Sequence, residues 1–253
     1  MKKLGIIQAK GLGDILITLP IAQYYKKRGW EVFWPISDQF LPSVQHASPW
    51  VNWIPFNFTD SLTSFVEVPL QLLAPHSCDK LLKLYNYISG YPEFCSRPYS
   101  QIHKFDQYKY QYAEVPFIHK WELWSCITRD DNRESALFDR VVKNKDYFVY
   151  HRKGSDFSAE FQISGLPQDW QAIEITELTD NIFDWLKILE NAQALVMIDS
   201  VFANLVDQLE IEVTKYWMPR SGVLFTPVLG SKWIILDAPE SVKRQIQMFP
   251  PNV

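Results

Sequence analysis

The chain has 253 residues, is 47% hydrophobic and carries a formal net charge of −4. That length allows one large or two small domains with a substantial core. The acidic balance excludes a mainly electrostatic nucleic-acid binder, which would show a basic footprint.

The chain opens on a short apolar strand, Leu4-Gly5-Ile6-Ile7-Gln8-Ala9, followed by the turn Lys10-Gly11-Leu12-Gly13-Asp14. Gly11 and Gly13 permit a tight turn and close backbone approach. Asp14 stands where a helix begins, so its carboxylate either accepts free backbone N–H groups or does chemistry. The helical segment runs from Ile15 to Arg28. Pro20 inside it implies a kinked first turn or a later start capped by Thr18. Lys26-Lys27-Arg28 suits a helix C-terminus and Gly29 a residue just beyond it. Glu31–Trp34 reads as a second strand, completing a βαβ unit with a right-handed crossover. Gln39–Val44 reads as a short helix or turn, and Val51–Pro55 as a third strand.

From Ser61 to Val142 the strand signal fades. Ser61–Leu73, Asp79–Ile88 and His119–Ile127 look helical, with Leu81, Leu82, Leu84 and Tyr85 on one apolar face. The tyrosine-rich stretch Tyr91–Tyr112 also carries Arg97, His103, Lys104 and Lys109. It either lines an acceptor site or packs as an amphipathic layer, and Tyr108 and Trp121 read as packing. A linker is expected at Asp130–Arg133 or at Lys143–Lys145. The domains are set at 1–142 and 143–253. The βα pattern then restarts. Asp146–Tyr150 is a strand followed by the basic turn His151-Arg152-Lys153-Gly154-Ser155. Trp170–Ile175 is a strand and Asn181–Asn191 a helix. Ala194–Ile198 is a buried strand ending at Asp199-Ser200, and a helix runs from Val201 to Leu209. Val213–Trp217 is a strand ending at Met218-Pro219-Arg220-Ser221. Trp233–Leu236 is a last strand and Glu240–Gln247 a closing helix.

The three cysteines, Cys78, Cys95 and Cys126, form no CxxC pair and cannot complete an intrachain disulfide set. Reduced structural thiols in the cytoplasm are expected. The five histidines lie scattered at positions 46, 76, 103, 119 and 151, which offers no metal-ligand spacing. No apolar run reaches the roughly 18–20 residues of a membrane helix, and Lys10 and Asp14 interrupt the apolar stretch after Met1-Lys2-Lys3 that a signal peptide needs. Peripheral membrane contact stays open.

In open α/β sheets ligands bind beyond the carboxyl ends of the strands. Lys10–Asp14, His151–Ser155, Asp199–Ser200 and Met218–Ser221 occupy such ends. The glycine turn is neither a GxGxxG fingerprint, since Leu16 stands at the third glycine position, nor a P-loop. The segment Gly11-Leu12-Gly13-Asp14-Ile15-Leu16-Ile17-Thr18-Leu19-Pro20, with its preceding strand, resembles the N-terminus of glycosyltransferase family 9, the ADP-heptose:lipopolysaccharide heptosyltransferases. The strand reaching Asp199-Ser200, the helix with Ala203-Asn204-Leu205 and the strand ending near Pro219 resemble that family's donor-binding element. About 45 residues at the start and about 40 near the end carry the likeness.

The resemblance implies an α/β, GT-B-like fold, two Rossmann-like domains facing across a cleft. The N-terminal domain would hold the acceptor and the C-terminal one a nucleotide-diphosphate sugar. It implies Asp14 as general base, with Lys10, Gly11 and Gly13 shaping its turn. Arg152, Lys153, Ser155, Asp199, Ser200, Asn204 and Arg220 are the expected donor contacts. The family's donor element reads Asp-Thr-Gly-x-x-His where this chain has Asp199-Ser200-Val201-Phe202-Ala203-Asn204. Ser200 keeps a hydroxyl, and the helix N-terminus keeps amides for a diphosphate. No Asp-x-Asp triplet occurs in the chain, in keeping with a metal-independent enzyme without a cofactor. The expected acceptor is a hydroxyl of a glycan or glycolipid. A non-catalytic nucleotide- or glycan-binding module of the same fold is the alternative, and a GT-B-type epimerase a third reading.

Overall fold

A computed structural model describes residues 1–59, 61–85, 104–154, 158–159, 161–164, 167–219, 227–230, 232–236 and 244–247. The chain divides into two units, Met1–Arg129 and Asp130–Val253. The division precedes Asp130, which caps a helix of the second unit, and so falls ahead of the 142/143 boundary set from the sequence. The Asp130 side chain accepts hydrogen bonds from the amides of Asn132 and Arg133.

The first unit is built on a four-stranded sheet in the order β3-β2-β1-β4, with β1 at Lys2–Ile7, β2 at Trp30–Ser37, β3 at Asn52–Phe56 and β4 at Lys80–Lys83. All three pairings are parallel. Parallel strands are covered on both faces and so read as continuous apolar runs; Leu4, Ile6 and Ile7 of β1 are fully buried. Gly5 is needed there for close packing, since a Cβ would stand 2.5 Å from the Leu81 side chain and 3.0 Å from that of Leu73.

Helix α1 spans Leu12–Lys26 without interruption, Pro20 included. Every residue from Ile15 to Ala22 is buried, and a helix apolar all round is held by its surroundings, so packing outweighs the backbone hydrogen bond that proline removes. The helix starts at Leu12 and is not capped by Thr18, whose hydroxyl instead donates to the Asp14 carbonyl at 2.8 Å. Helix α2 (Leu41–Gln45) follows a 3-10 turn at Asp38–Phe40, and α3 (Leu62–Phe65) and α4 (Glu67–Leu73) divide the expected Ser61–Leu73 helix.

One expectation in this unit is corrected. The helix expected over Asp79–Ile88 is strand β4 over its Lys80–Lys83 portion, paired with β1 from Leu4↔Lys80 to Ile7↔Lys83. A short apolar run fits either period; the unpaired edge of β1 decides it. The helical stretch expected at His119–Ile127 is a 3-10 helix over Phe117–Ser125, with a non-helical backbone at Glu122. Helix α5 (Phe105–Tyr112) lies against α1. The Tyr110 hydroxyl donates to the Ile17 carbonyl at 3.0 Å, and that of Tyr25 to the Ala113 carbonyl at 2.7 Å. A buried Lys120–Asp106 pair at 2.9 Å ties α5 to the 3-10 segment. Tyr108 is buried, as a packing residue should be.

The second unit holds α6 (Asp131–Val141), β5 (Tyr147–His151), β6 (Phe161–Ser164), β7 (Gln171–Glu174), α7 (Leu186–Glu190), β8 (Ala194–Ile198), α8 (Val201–Gln208), β9 (Thr214–Met218), β10 (Trp233–Ile235) and β11 (Arg244–Gln247). Five strands form a parallel sheet in the order β10-β9-β8-β5-β7. The central strand β8 is fully buried along its length. Arg133 of α6 clamps the loop before α7, pairing with Asp184 at 2.7 Å and Asp180 at 2.5 Å. The expected Glu240–Gln247 helix is overturned over 244–247, which pairs in parallel with β6 as a separate two-stranded sheet. A partner some 80 residues away in the chain leaves no local signal.

Candidate functional site

The turn after β1 is built by side chains reaching across the sheet. The Ala9 amide donates to the Tyr85 hydroxyl at 2.7 Å and the Lys10 amide does so at 3.3 Å. Burial pushes the Tyr85 hydroxyl far up from its usual range, and those two amides offset this only in part, so it stays protonated. The Gln8 side chain donates to the Lys10 carbonyl at 2.7 Å, and the Trp34 indole donates to the Gln8 carbonyl at 3.0 Å. Lys10 lies over the Phe58 ring, with its Nζ 5.4 Å from the ring centre.

Gly11 sits at φ +86°, a conformation L side chains rarely adopt, and its absent Cβ leaves room for the Asp14 carboxylate, whose Oδ2 would lie 2.8 Å away. Gly11 is the N-cap of α1, which has no side-chain cap hydrogen bond. Asp14 therefore does not cap. Its carboxylate turns to Lys109 of α5, with Oδ1 3.1 Å from Nζ. The Asp14 side chain is 36% exposed and that of Lys109 only 1%. The Lys109 ammonium also donates to the Gln8 side-chain oxygen at 2.8 Å and to the Leu84 carbonyl.

In the second unit the carboxyl ends of β5, β7 and β8 gather the polar groups. His151, last residue of β5, shares a 2.9 Å hydrogen bond between its Nδ1 and the Ser200 hydroxyl at the N-terminus of α8. Burial lowers the His151 imidazole to about 4, against a raising influence from Glu174 and a further lowering one from Lys153, so His151 is neutral at pH 7. The Ser200 side chain is the N-cap of α8 but makes no cap hydrogen bond to its amides. Asp199 is buried, and its amide donates to the Met218 carbonyl at 3.0 Å. The Asn204 side chain donates to the Ser200 carbonyl at 3.1 Å, while its buried Oδ1 has no hydrogen-bond partner among the described residues.

The basic turn is charge-compensated. Arg152 makes a bidentate pair with Glu174 at 2.8 and 2.7 Å, and the Tyr150 hydroxyl donates to the same carboxylate at 3.1 Å. The guanidinium, followed by these lesser contacts, holds the Glu174 carboxyl below its ordinary range. Lys153 pairs with Glu177 at 2.8 Å on the exposed surface.

Among the expected residues, the structure thus brings together Lys10, Gly11, Gly13 and Asp14 in the first unit, and Arg152, Lys153, Asp199, Ser200 and Asn204 in the second. Ser155 and Arg220 lie outside the described residues, as do Tyr91–His103 of the tyrosine-rich stretch. Sequence reasoning missed Gln8, Tyr85 and Glu174. Glu174 carries a readable signal, being an acid at the carboxyl end of an expected strand; Tyr85 was hidden by the helical reading of β4. A cavity of about 800 Å³ lined by Leu41, Pro42, Gln45, His46, Trp53 and Thr128 includes none of the expected residues. No cluster of three or more His, Cys, Asp or Glu side chains among the described residues is placed to hold a metal ion. No described helix is long and apolar enough to cross a membrane.

No family model matches the sequence, and no curated protein does. The likeness is to solved structures. A glycosyl transferase of family 9 from Veillonella parvula DSM 2008 matches with a TM-score of 0.60 over 95% of this chain and 88% of that one, at 12% identity. The E. coli heptosyltransferase WaaC with ADP matches at 0.54 over 94% of each chain, at 13% identity. The same enzyme with ADP-2-deoxy-2-fluoro heptose matches at 0.51, again over 94% of each chain, at 11% identity. At such identities the comparison establishes the fold. The chain is an α/β protein with the GT-B-like fold of these glycosyltransferases, each unit resting on its own parallel sheet.

Proposed function

We propose that the protein is an inverting, metal-independent glycosyltransferase, moving a sugar from a nucleotide-diphosphate donor to a hydroxyl of a glycan or glycolipid acceptor. The observation that carries this is the state of Asp14. Its carboxylate stands at the carboxyl end of the strand next to the centre of its sheet, partly exposed, and turned away from the backbone amides that it could have capped. On a fold shared with glycosyltransferases, a partly exposed carboxylate so placed suits a general base.

In this reading Asp14 takes the proton of the acceptor hydroxyl as that oxygen bonds to the anomeric carbon. The bond from that carbon to the diphosphate breaks, its electron pair leaves with the nucleotide, and one in-line displacement inverts the centre. The second unit supplies the donor contacts. The uncapped first amides of α8 suit a diphosphate, the Ser200 hydroxyl is fixed beside them by neutral His151, and the unpartnered Oδ1 of Asn204 is an acceptor for a sugar or ribose hydroxyl. Asp199, Arg152, Lys153, Ser155 and Arg220 complete the proposed donor set, and Lys10, Gly11 and Gly13 the turn that carries the base.

One observation favours the non-catalytic alternative. Arg152 and Lys153, the cations proposed for the leaving diphosphate, are already paired with Glu174 and Glu177. Incubation with a panel of ADP- and UDP-sugars separates the readings. The enzyme releases nucleotide slowly from one of them, and Asp14→Asn loses that release by about 100-fold or more while still binding ADP. ADP binding with no release from any donor supports the binding module instead. Release unchanged in Asp14→Asn removes Asp14 as the base.

A further inference from the structure

We propose that Lys109 is the positioning residue for Asp14, holding one carboxylate oxygen so that the other is presented to the acceptor hydroxyl. This rests on the reading of Asp14 as general base.

Lys109 joins three separate parts of the unit: its ammonium donates hydrogen bonds to Gln8 Oε1 in the turn after β1 and to the Leu84 carbonyl beyond β4, and stands in an ion pair with Asp14 Oδ1 on α1. Gln8 is itself almost wholly buried and anchored through the Lys10 carbonyl, so the ammonium has little freedom to move. Stability does not explain the arrangement. A buried ion pair gains little over apolar packing of the same volume, and α1 is already joined to α5 by the Tyr110–Ile17 and Tyr25–Ala113 hydrogen bonds. What the lysine does is specific to the carboxylate. It engages Oδ1, while Gly11 leaves open the space that Oδ2 occupies. No other ion pair or hydrogen bond holds the Asp14 carboxylate among the described residues.

The consequence for the transfer step is a division of labour within one carboxylate. Oδ2 receives the acceptor proton while the new bond to the anomeric carbon forms and the bond to the diphosphate breaks. The Lys109 side chain keeps its place through its bonds to Gln8 and Leu84, which do not involve the reacting oxygen. It acts through Asp14 and touches neither sugar.

The test combines Lys109→Met, Asp14→Asn and the double variant, with nucleotide release from the sugar panel as the activity. Lys109→Met lowers kcat by about 10–100-fold, as expected of a misplaced catalytic group, with the donor KM unchanged. In the Asp14→Asn background the same substitution adds nothing, because coupled groups are not additive. Equal losses in both backgrounds mean a structural lysine and overturn the proposal. A second readout needs no turnover: the Asp14 χ1 rotamer, from side-chain couplings or a crystal structure, is single in the wild type and averaged in Lys109→Met. A single unchanged rotamer in the variant overturns the proposal even if no donor is consumed. Full turnover in Asp14→Asn instead removes the base reading, while the rotamer measurement still decides whether Lys109 holds Asp14. If Lys109→Met does not fold, Gln8→Leu, which removes one acceptor of the same ammonium, is carried through both measurements.

Discussion

His151 should make the second unit sensitive to mild acid. Its imidazole is buried between the Ser200 hydroxyl and the Phe202 ring, whose centre lies 4.9 Å away, and burial lowers it from 6.5 to about 4. In the unfolded chain it titrates near its ordinary value. Between those two values the unfolded state binds more protons than the folded one, so stability rises with pH across this window and falls on acidification. The contribution is whole above pH ~6.5 and is lost as the pH falls to about 4, a swing of about 3 kcal/mol at most for a difference of roughly 2.5 units. Two measurements check it. In proton–carbon NMR the His151 ring titrates near 4, below an ordinary exposed histidine. Hydrogen exchange of the β8 amides reports the local opening free energy of the unit. Between pH 7.5 and 4.5 that quantity falls by about 2 kcal/mol more in the wild type than in His151→Phe, which cannot protonate; carboxylate effects shared by the two proteins cancel. An NMR midpoint at 6 or above, or identical acid sensitivity in the two proteins, refutes the reasoning.

Two further outcomes follow from the site geometry. Gly11→Ala forces an L side chain to φ +86° and puts its Cβ 2.8 Å from Asp14 Oδ2, so denaturation should show a loss of about 1–3 kcal/mol together with displacement of the Asp14 carboxylate; wild-type stability with an unmoved carboxylate would contradict the assignment of space around Asp14. Glu174→Gln removes the charge that engages Arg152 and should tighten ADP binding roughly 3–10-fold in calorimetry, with a steeper salt dependence; unchanged affinity takes Arg152 out of the proposed donor set.

Much of the architecture was readable because parallel strands are short, apolar runs that end in polar turns. Ala194–Ile198 followed by Asp199-Ser200 declares both a buried strand and a helix start, and the structure has β8 and α8 there. The two strands read as helices share one cause. Lys80–Lys83 and Arg244–Gln247 are strands because distant segments offer them a backbone ladder, β1 in one case and β6 in the other, and neither partner is visible in the local pattern. Asp14 stood out in the sequence through the Gly-Asp turn, yet its two local readings, cap or base, were equally compatible with that turn. Lys109 was visible only as one cation in a tyrosine-rich stretch.

The sequence alone therefore determined the α/β class and most of the strands and helices of both sheets. These follow from hydrophobic period, glycine turns and helix-start residues, all of which act over a few positions. Tertiary structure decided the state of each polar group: that Asp14 faces a buried ammonium 95 positions further along the chain rather than its own helix amides, that Ser200 is engaged by His151, and that Arg152 is held by Glu174. Hydrogen bonds and charges act over a few ångströms of space regardless of separation in sequence, so only the folded chain could choose among them.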